Sequence, residues 1–265
     1  MRNRLLIIAL IACAVAASAG AEELVTVATR DRVSQSFLLS APTGETPRAV
    51  ALLLPGGDGA IRLRSEGGRI RFGDGNFLVH TRGLYVERGI VTAVLDAPSD
   101  QASGMSDNFR EGGRHAADIA RVSEELQRRF PGIPQFVIGT SRGTISAAEL
   151  GASIGERFKG VVLTSTLFMA SRAGWGLSQF DYTKIKIPVL LVHHAADTCF
   201  VTPYPEARKL AAARNYPLIT VNGGDPLKDD PCEPLSPHGF LGREVQTVDA
   251  IVNWMLAKPY PLNIE

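Results

Sequence analysis

The chain contains the run Gln-Phe-Val-Ile-Gly-Thr-Ser-Arg-Gly at 135–143, an apolar stretch that breaks into Gly-x-Ser-x-Gly around Ser141. The residues that follow it, Thr-Ile-Ser-Ala-Ala-Glu-Leu at 144–150, suit a helix. A serine hydroxyl is a weak nucleophile, so it has to be held where a base can reach it. A sharp strand-to-helix turn does this, and glycine on both sides relieves the crowded backbone. The stretch therefore predicts a reactive serine on a tight turn.

A second Gly-x-Ser-x-Gly occurs in the same chain, as Gly-Ala-Ser-Ile-Gly at 151–155. A chance copy is expected with a probability of roughly 0.1 to 0.2 in a glycine-rich chain of this length, so context has to decide between the two. Ser153 follows a helix-like segment and lies where glycines typically end a helix. Only Ser141 has a strand before it and a helix after it, so we predict that Ser141 is the nucleophile.

Apolar and helical segments alternate along the rest of the chain, after a leading antiparallel pair of strands. This alternation implies an α/β fold with a mostly parallel sheet and right-handed crossovers. No repeat or linker interrupts it, so we expect one domain over 22–265. The irregular regions 60–76 and 98–110 follow strand ends, where such sheets place ligand-contacting loops. Strands are predicted at 24–29, 33–39, 49–54, 90–95, 136–138, 160–165, 189–194 and 218–221, and helices at 76–88, 111–130, 143–154, 204–214 and 243–257.

Composition and the first residues bear on compartment and partners. The chain of 265 residues is 45% hydrophobic and has a formal net charge of +1, which argues against a nucleic-acid surface. Residues 1–4 are basic, 5–17 are almost wholly apolar and 19–21 are small, which predicts a signal peptide over 1–21 and an exported protein, periplasmic or secreted. The apolar stretch is too short for a convincing permanent membrane span. The alternative is a lipoprotein anchored through Cys13, because Leu-Ile-Ala-Cys resembles a lipobox.

A serine nucleophile needs a base and an acid later in the chain. His238 lies in a loop just before the last predicted helix, and Asp197 follows the buried strand 189–194. His238 would take the serine proton and return it to the leaving group, while Asp197 would hold the imidazole tautomer. The alternative acids are Asp225, Asp229 and Asp230.

The tetrahedral intermediate also needs donors for its oxyanion. One is the backbone N–H of Arg142, the residue after the serine. The other comes from the glycine-rich turn after strand 49–54, with Gly57 as the first choice and Asp58 as the alternate. The Arg142 side chain has two open roles, either binding an acidic substrate group or forming a salt bridge. Asp96, at the end of its strand, is open in the same way between contacting substrate and capping a turn.

These features resemble the α/β-hydrolase fold superfamily over nearly the whole mature chain, with Pro55-Gly56-Gly57 in place of the usual His-Gly-x oxyanion loop. The resemblance implies an eight-stranded, mostly parallel sheet flanked by helices. It also implies hydrolytic chemistry at the carboxyl edge of the sheet, but no particular substrate. With the residues above, we expect a serine hydrolase that cleaves an ester or related acyl bond of a small-molecule substrate, with no metal or organic cofactor. The alternatives are a peptidase of the same fold and a non-catalytic binding protein. The segment 166–186 is short for a lid, so we expect a minimal one; Trp175 in it either lines the site or packs nearby.

The mature chain keeps two cysteines, Cys199 and Cys232. In an exported protein such a pair is most simply a disulfide, and the alternative is two buried thiols. The bond would tie the loop of the acid to the loop of the base, and we expect it to position the triad. His193 and His194 are adjacent on one predicted strand and point to opposite faces, which disfavours a zinc site.

Overall fold

The computed structural model describes residues 22–73, 75–172 and 174–265. The predicted signal peptide at 1–21, with Cys13, lies outside the described residues. The main sheet has nine strands in the order β1-β2-β6-β3-β7-β8-β9-β10-β11. These strands are β1 (Glu22–Arg30), β2 (Val33–Ser40), β3 (Ala49–Leu54), β6 (Ile90–Leu95), β7 (Gln135–Thr140), β8 (Gly160–Thr164), β9 (Val189–His194), β10 (Leu218–Val221) and β11 (Asn263–Ile264).

The sheet is mostly parallel, as predicted. Antiparallel pairing is confined to β2, which lies between β1 and β6. The predicted number of eight strands is wrong, because a ninth strand, Asn263–Ile264, pairs with β10 at the sheet edge. A strand of two residues is too short to show any alternation of polar and apolar residues, and its existence depends on the neighbouring β10.

The helices lie on both faces of the sheet, and most begin and end within two residues of the predicted positions. They are α1 (Phe77–His80), α2 (Arg82–Val86), α3 (Asp107–Arg110), α4 (Gly113–Arg129), α5 (Gly143–Ser153), α6 (Tyr204–Arg214) and α7 (Glu244–Met255). The predicted helix 76–88 is in fact two short helices. The break falls at Thr81, whose hydroxyl donates to the Phe77 carbonyl at 2.6 Å and so caps the first of them.

The central strands are buried on both faces, which explains their continuous apolar sequences. Successive side chains point to opposite sides and enter separate cores. One core contains Leu52, Val137, Leu163 and Leu191, and the other contains Leu53, Ile138, Val162 and Leu190. β7 is thereby fixed in the middle of the sheet, with β3 on one side and β8 on the other.

The loops at the carboxyl ends of the strands are short or locally structured. The region 60–76 contains a hairpin of β4 (Arg64–Glu66) and β5 (Arg69–Arg71), where only an irregular loop was predicted. Between β8 and β9 the described residues form one short 3₁₀ helix, Tyr182–Lys184, and an isolated bridge, so the lid is minimal as expected. No helix within the described ranges is both long and apolar enough to cross a membrane.

Candidate active site

Ser141 occupies a strained turn between β7 and α5. Its φ is 51°, a left-handed conformation that is rare for residues other than glycine, and its N–H donates to the Thr164 carbonyl at 3.0 Å. The two glycines of the motif are required by close packing. A Cβ at Gly143 would lie 2.1 Å from the Leu54 carbonyl oxygen, and one at Gly139 would lie 2.5 Å from the Gly143 carbonyl oxygen. The turn therefore has the geometry predicted for a nucleophile elbow.

Ser153, the other serine in a matching pattern, has none of these features. It is the last residue of α5, and its hydroxyl donates to the Glu149 carbonyl one turn earlier at 2.7 Å. It lies away from the cleft that contains Ser141. The two serines therefore differ in backbone geometry and in position, and the choice of Ser141 as nucleophile stays a prediction.

The structure brings Asp197 and His238 together. Nδ1 of His238 lies 3.0 Å from Oδ2 of Asp197, and both side chains are buried. The same carboxylate accepts from the Thr202 hydroxyl at 2.9 Å through Oδ2 and from the Cys199 N–H at 2.9 Å through Oδ1. The Thr202 oxygen is also 3.1 Å from His238 Nδ1, so three side chains share one hydrogen-bonded cluster.

The alternative acids are exposed side chains on the loop that precedes the histidine. Asp225 pairs with Lys228 at 2.9 Å, and Asp230 accepts from the Cys232 N–H at 3.0 Å. Of the carboxylates in the described part of the chain, Asp197 is the one that contacts His238. Asp197 therefore occupies the position that an orienting acid requires.

His238 is held at the cleft by its own backbone. Its carbonyl accepts from the Ser165 hydroxyl at 2.7 Å, and its N–H donates to the Ser236 hydroxyl at 3.0 Å. Nε2, the nitrogen opposite Asp197, is buried and has no hydrogen-bond partner among the described residues. His238 and Ser141 line the same cleft of about 400 Å³. An imidazole held at Nδ1 and unpartnered at Nε2 is poised to accept a proton.

The glycine-rich turn after β3 packs directly against the elbow. A Cβ at Gly56 would lie 3.0 Å from the Ser141 Cβ and 3.1 Å from the Thr140 carbonyl oxygen, so any larger residue would push the turn and the elbow apart. The turn is closed by a hydrogen bond from the Gly59 N–H to the Gly56 carbonyl at 3.1 Å, and Gly57 has a φ of 58°. Neither the Gly57 N–H nor the Asp58 N–H donates to another described residue. Both remain available as oxyanion donors.

A buried arginine supports this turn from below. Arg110, 1% exposed, donates from Nη2 to the Gly57 carbonyl at 3.2 Å and from Nη1 to the Ser146 hydroxyl at 3.1 Å. Burial, aided by the nearby Arg142 cation, lowers its pKa to about 10. Because the Gly57 carbonyl and the Asp58 N–H belong to one trans peptide, this contact sets the direction of the N–H.

Two side chains with open roles have structural partners. Arg142 Nε donates to the buried Asp107 carboxylate at 2.6 Å, so its guanidinium forms the salt bridge. Asp96 accepts from the N–H groups of Arg62, Leu63 and Ala97 at 3.2, 2.7 and 2.8 Å. These contacts cap the turns at 62–63 and at 96–97, which is the second of the roles considered for Asp96.

The adjacent histidines of β9 contact different segments. His193 Nε2 accepts from the Thr166 N–H at 2.9 Å, and its ring stacks on Phe168 at 5.5 Å. Burial lowers the pKa of His193 to about 3, which favours the neutral ring. His194 Nε2 lies 3.0 Å from the Gly223 carbonyl. No group of three potential metal ligands occurs in the described part of the chain.

Cys199 and Cys232 form a disulfide that closes a loop of 33 residues. Cys199 is buried beside Asp197, whereas Cys232 lines the cleft two residues before Pro234. A Cβ at Gly239 would lie 2.0 Å from the Pro234 carbonyl oxygen, so the disulfide loop and the histidine loop are packed together. Trp175 is 63% exposed and does not line the cleft, which corrects one of its two predicted placements.

Sequence reasoning missed several residues of this site. Thr202, Arg110 and Ser165 gave no recognisable motif, because each acts through a partner that is distant in the chain: the Arg110 contact with Gly57 spans 53 positions. A weak signal existed for Asp107 and Arg110, which are charged residues in a region predicted to contact ligand. Nothing in the sequence indicated that they would be buried.

Neither a protein-family model nor a curated protein matches the sequence. Solved structures do match. Est1E from Butyrivibrio proteoclasticus, with bound ferulic acid, is 14% identical with a TM-score of 0.60 over 88% of this chain and 98% of its own. A lidless α/β serine hydrolase from Xanthomonas campestris is 12% identical with a TM-score of 0.59 over 91% and 98%. Dienelactone hydrolase from Anabaena variabilis is 14% identical with a TM-score of 0.55 over 90% and 96%. This chain therefore has the fold of the α/β-hydrolase superfamily.

Proposed function

We propose that this chain is a serine hydrolase that cleaves an ester or related acyl bond through an acyl-enzyme at Ser141. The observation that carries the proposal is the His238 side chain. Its Nδ1 is held by Asp197 at 3.0 Å, its buried Nε2 has no partner among the described residues, and it shares a cleft with the strained Ser141. Similarity to structures described as esterases and a lactone hydrolase favours an ester, and similarity to a prolyl endopeptidase structure keeps a peptide bond as the alternative.

The proposed reaction uses each group once in each half. Nε2 of His238 takes the proton of Ser141 Oγ as the oxygen attacks the acyl carbon, and Asp197 stabilises the imidazolium. The carbonyl electron pair moves to oxygen, where the N–H of Arg142 and that of Gly57 or Asp58 donate to it. Collapse breaks the bond to the alcohol, which leaves with the proton from Nε2.

Water then repeats the sequence on the acyl-enzyme. His238 removes its proton, the oxygen attacks the acyl carbon, and collapse returns the proton to Ser141 as the acid departs. The cluster of Thr202 and Cys199 N–H around Asp197 keeps the carboxylate in place through both halves. Loss of one oxyanion donor typically costs about 3 kcal/mol of transition-state stabilisation, so the turn at 56–59 should tolerate little change.

Fluorophosphonate labelling tests the nucleophile. We expect the wild type and Ser153→Ala to be labelled and to hydrolyse p-nitrophenyl butyrate, and Ser141→Ala to do neither. Ser153→Ala is the matched control, because Ser153 has the same Gly-x-Ser-x-Gly surroundings but lies at the end of a helix. Labelling that persists in Ser141→Ala would contradict the proposal. Hydrolysis of a matched anilide faster than the ester would favour a peptidase instead.

We also propose that the protein is exported after cleavage of residues 1–21. The support is the basic and apolar N-terminal sequence together with a disulfide, which persists in oxidising compartments. The intact mass of the mature protein tests this. A mass that begins at residue 22 is expected, whereas a mass that begins at an acylated Cys13 would establish the lipoprotein alternative.

A further inference from the structure

The hairpin of β4 and β5 stands at the rim of the cleft. Arg62 precedes the hairpin and Gly73 follows it, and both line the cleft. On one face of the hairpin, Ile70 and the flanking Leu63 and Phe72 pack against the core, beside the exposed Ser65. This packing anchors the hairpin to the body of the domain through the face opposite its charged residues.

The outer face is charged and exposed. The strand register places Arg64 directly opposite Arg71 and Glu66 directly opposite Arg69. Residues opposite each other, and residues two apart on one strand, share a face, so all four side chains project to the same side. Like charges directly opposite each other destabilise a strand pair. The face nevertheless has three arginines against one glutamate in a chain whose formal net charge is +1.

The acid partners of these arginines are few. Arg64 lies 3.5 Å from Glu66, its neighbour on the same strand. Over the residues that the structure describes, no carboxylate lies within 4.0 Å of Arg69 or Arg71. The described carboxylates of the protein therefore leave part of the charge of this face uncompensated.

The acids on the nearest strand of the main sheet are already paired. β1 contacts β5, and its first two residues are acidic. Glu22 binds Arg82 at 2.7 Å, and Arg82 lies over the ring of Phe72 just beyond the hairpin. Glu23 binds Arg129 at 2.7 Å.

The arginines inside the cleft differ from those of the hairpin. Arg142 is neutralised by the buried Asp107 at 2.6 Å, and Arg62 is paired with Asp58 at 2.9 Å. An anion entering the cleft would have to displace a carboxylate to bind either of them. On the hairpin, by contrast, Arg71 has no acid partner among the described residues, and the contact of Arg64 with the exposed Glu66 is longer, at 3.5 Å.

We propose that the outer face of the hairpin binds a carboxylate of the substrate while the ester of the same molecule lies at Ser141. This inference rests on the proposed hydrolase function and assigns its substrate class: esters that carry a carboxylate at some distance from the scissile bond. Arg62 and Gly73 line the cleft, and Arg64 and Arg71 are each two residues from them, a separation that spans at most about 7 Å of chain. Paired guanidinium groups suit the two oxygens of a carboxylate.

The test compares two series of p-nitrophenyl esters of adipic, suberic and sebacic acid. In one series the second carboxyl group is free and charged, and in the other it is a neutral methyl ester. Release of p-nitrophenol is measured in both. The measured quantity is the ratio of kcat/KM for the anionic ester to that for its neutral partner. Exposed charge pairs contribute little each, so two arginines should give a ratio of about fivefold for the best chain length. Raising the ionic strength to about 1 M, where the Debye length is about 3 Å, should reduce the ratio to near one.

The variant Arg64→Gln/Arg71→Gln should lose the preference at low ionic strength. The matched control is Arg208→Gln/Arg214→Gln, which removes two exposed charges from α6 and should keep the wild-type ratio. A wild-type ratio near one with normal hydrolysis of the neutral ester would overturn the inference and leave the hydrolase proposal intact. Equal loss of the preference in the control variant would overturn the inference in the same way.

If no ester is hydrolysed, the hydrolase proposal fails. The carboxylate site is then tested by the binding of a free dicarboxylate to the protein. High-millimolar suberate added to Ser141→Ala should then shift arginine side-chain resonances in NMR spectra, a readout that detects weak binding, and Arg64→Gln/Arg71→Gln should abolish the shift. Absence of binding to Ser141→Ala, or equal binding to the hairpin variant, would overturn the carboxylate site.

Discussion

Reduction of the Cys199–Cys232 disulfide should lower turnover before it unfolds the protein. Cys199 is 2% exposed and its N–H donates to Asp197 Oδ1 at 2.9 Å. Cys232 precedes Ser236, whose hydroxyl accepts from the His238 N–H at 3.0 Å. The bond therefore joins two segments that each hold one member of the acid–base pair, and breaking it releases both.

Reduction should have separate effects on the stability of the fold and on kcat. In the chain-entropy model, closing a loop of 33 residues stabilises the fold by about 3 to 4 kcal/mol. For a domain of this size that corresponds to a fall in Tm of about 10 °C, which leaves the reduced protein folded at room temperature. Loss of the contacts that orient a catalytic group typically costs about 10- to 100-fold, so kcat should fall by that range in the folded, reduced protein.

The assay is hydrolysis of p-nitrophenyl butyrate at room temperature after treatment with a phosphine reductant, with circular dichroism on the same sample. Alkylation followed by mass measurement counts the free thiols. Cys199→Ser/Cys232→Ser, which cannot form the bond, should reproduce the reduced state and should not respond to reductant. Unchanged kcat with both thiols free and the far-ultraviolet spectrum intact would show that the disulfide does not position the acid and the base.

Three further predictions concern groups around the site. Thr202→Val removes the hydroxyl that donates to Asp197 at 2.9 Å, and because hydrogen bonds to charged groups contribute about 1.5 to 3 kcal/mol, steady-state kinetics should show kcat at least about tenfold lower with KM little changed. Arg110→Met removes the donor to the oxyanion turn together with an incompletely partnered buried charge, so kcat should fall by about tenfold or more with little loss of Tm; a lower Tm at unchanged kcat would contradict this role. Burial lowers the pKa of His115 and of His193 to about 3, below the value near 6.5 of an unfolded histidine, so the unfolded state binds more protons between these values. The stability that both groups contribute is fully present above pH 6.5 and is lost as the pH falls toward 3; urea unfolding at several pH values should show the decline, and His115→Phe should make it less steep.

The elements that depend on local pattern were predictable from the amino-acid sequence. Ser141 could be told apart from Ser153 because apolar residues recur with different spacings in strands and in helices, and a few residues are enough to show which spacing applies. The buried strands β3, β7 and β9 could also be predicted, because a strand buried on both faces has a continuous apolar sequence. The chain order of Ser141, Asp197 and His238 followed from these positions, since each residue comes just after a recognisable element or just before one.

Contacts between distant segments emerged only in the folded chain. The hydrogen bond between Asp197 and His238 joins residues 41 positions apart, and Thr202 became part of it only when the loop after β9 folded beside the histidine. The ninth strand forms because Asn263–Ile264 pairs with the free edge of β10. Arg64 and Arg71 face each other because of the strand register of the hairpin, which a run of charged residues does not determine. Local propensities act over a few residues, whereas these contacts depend on how the whole sheet places its strand ends.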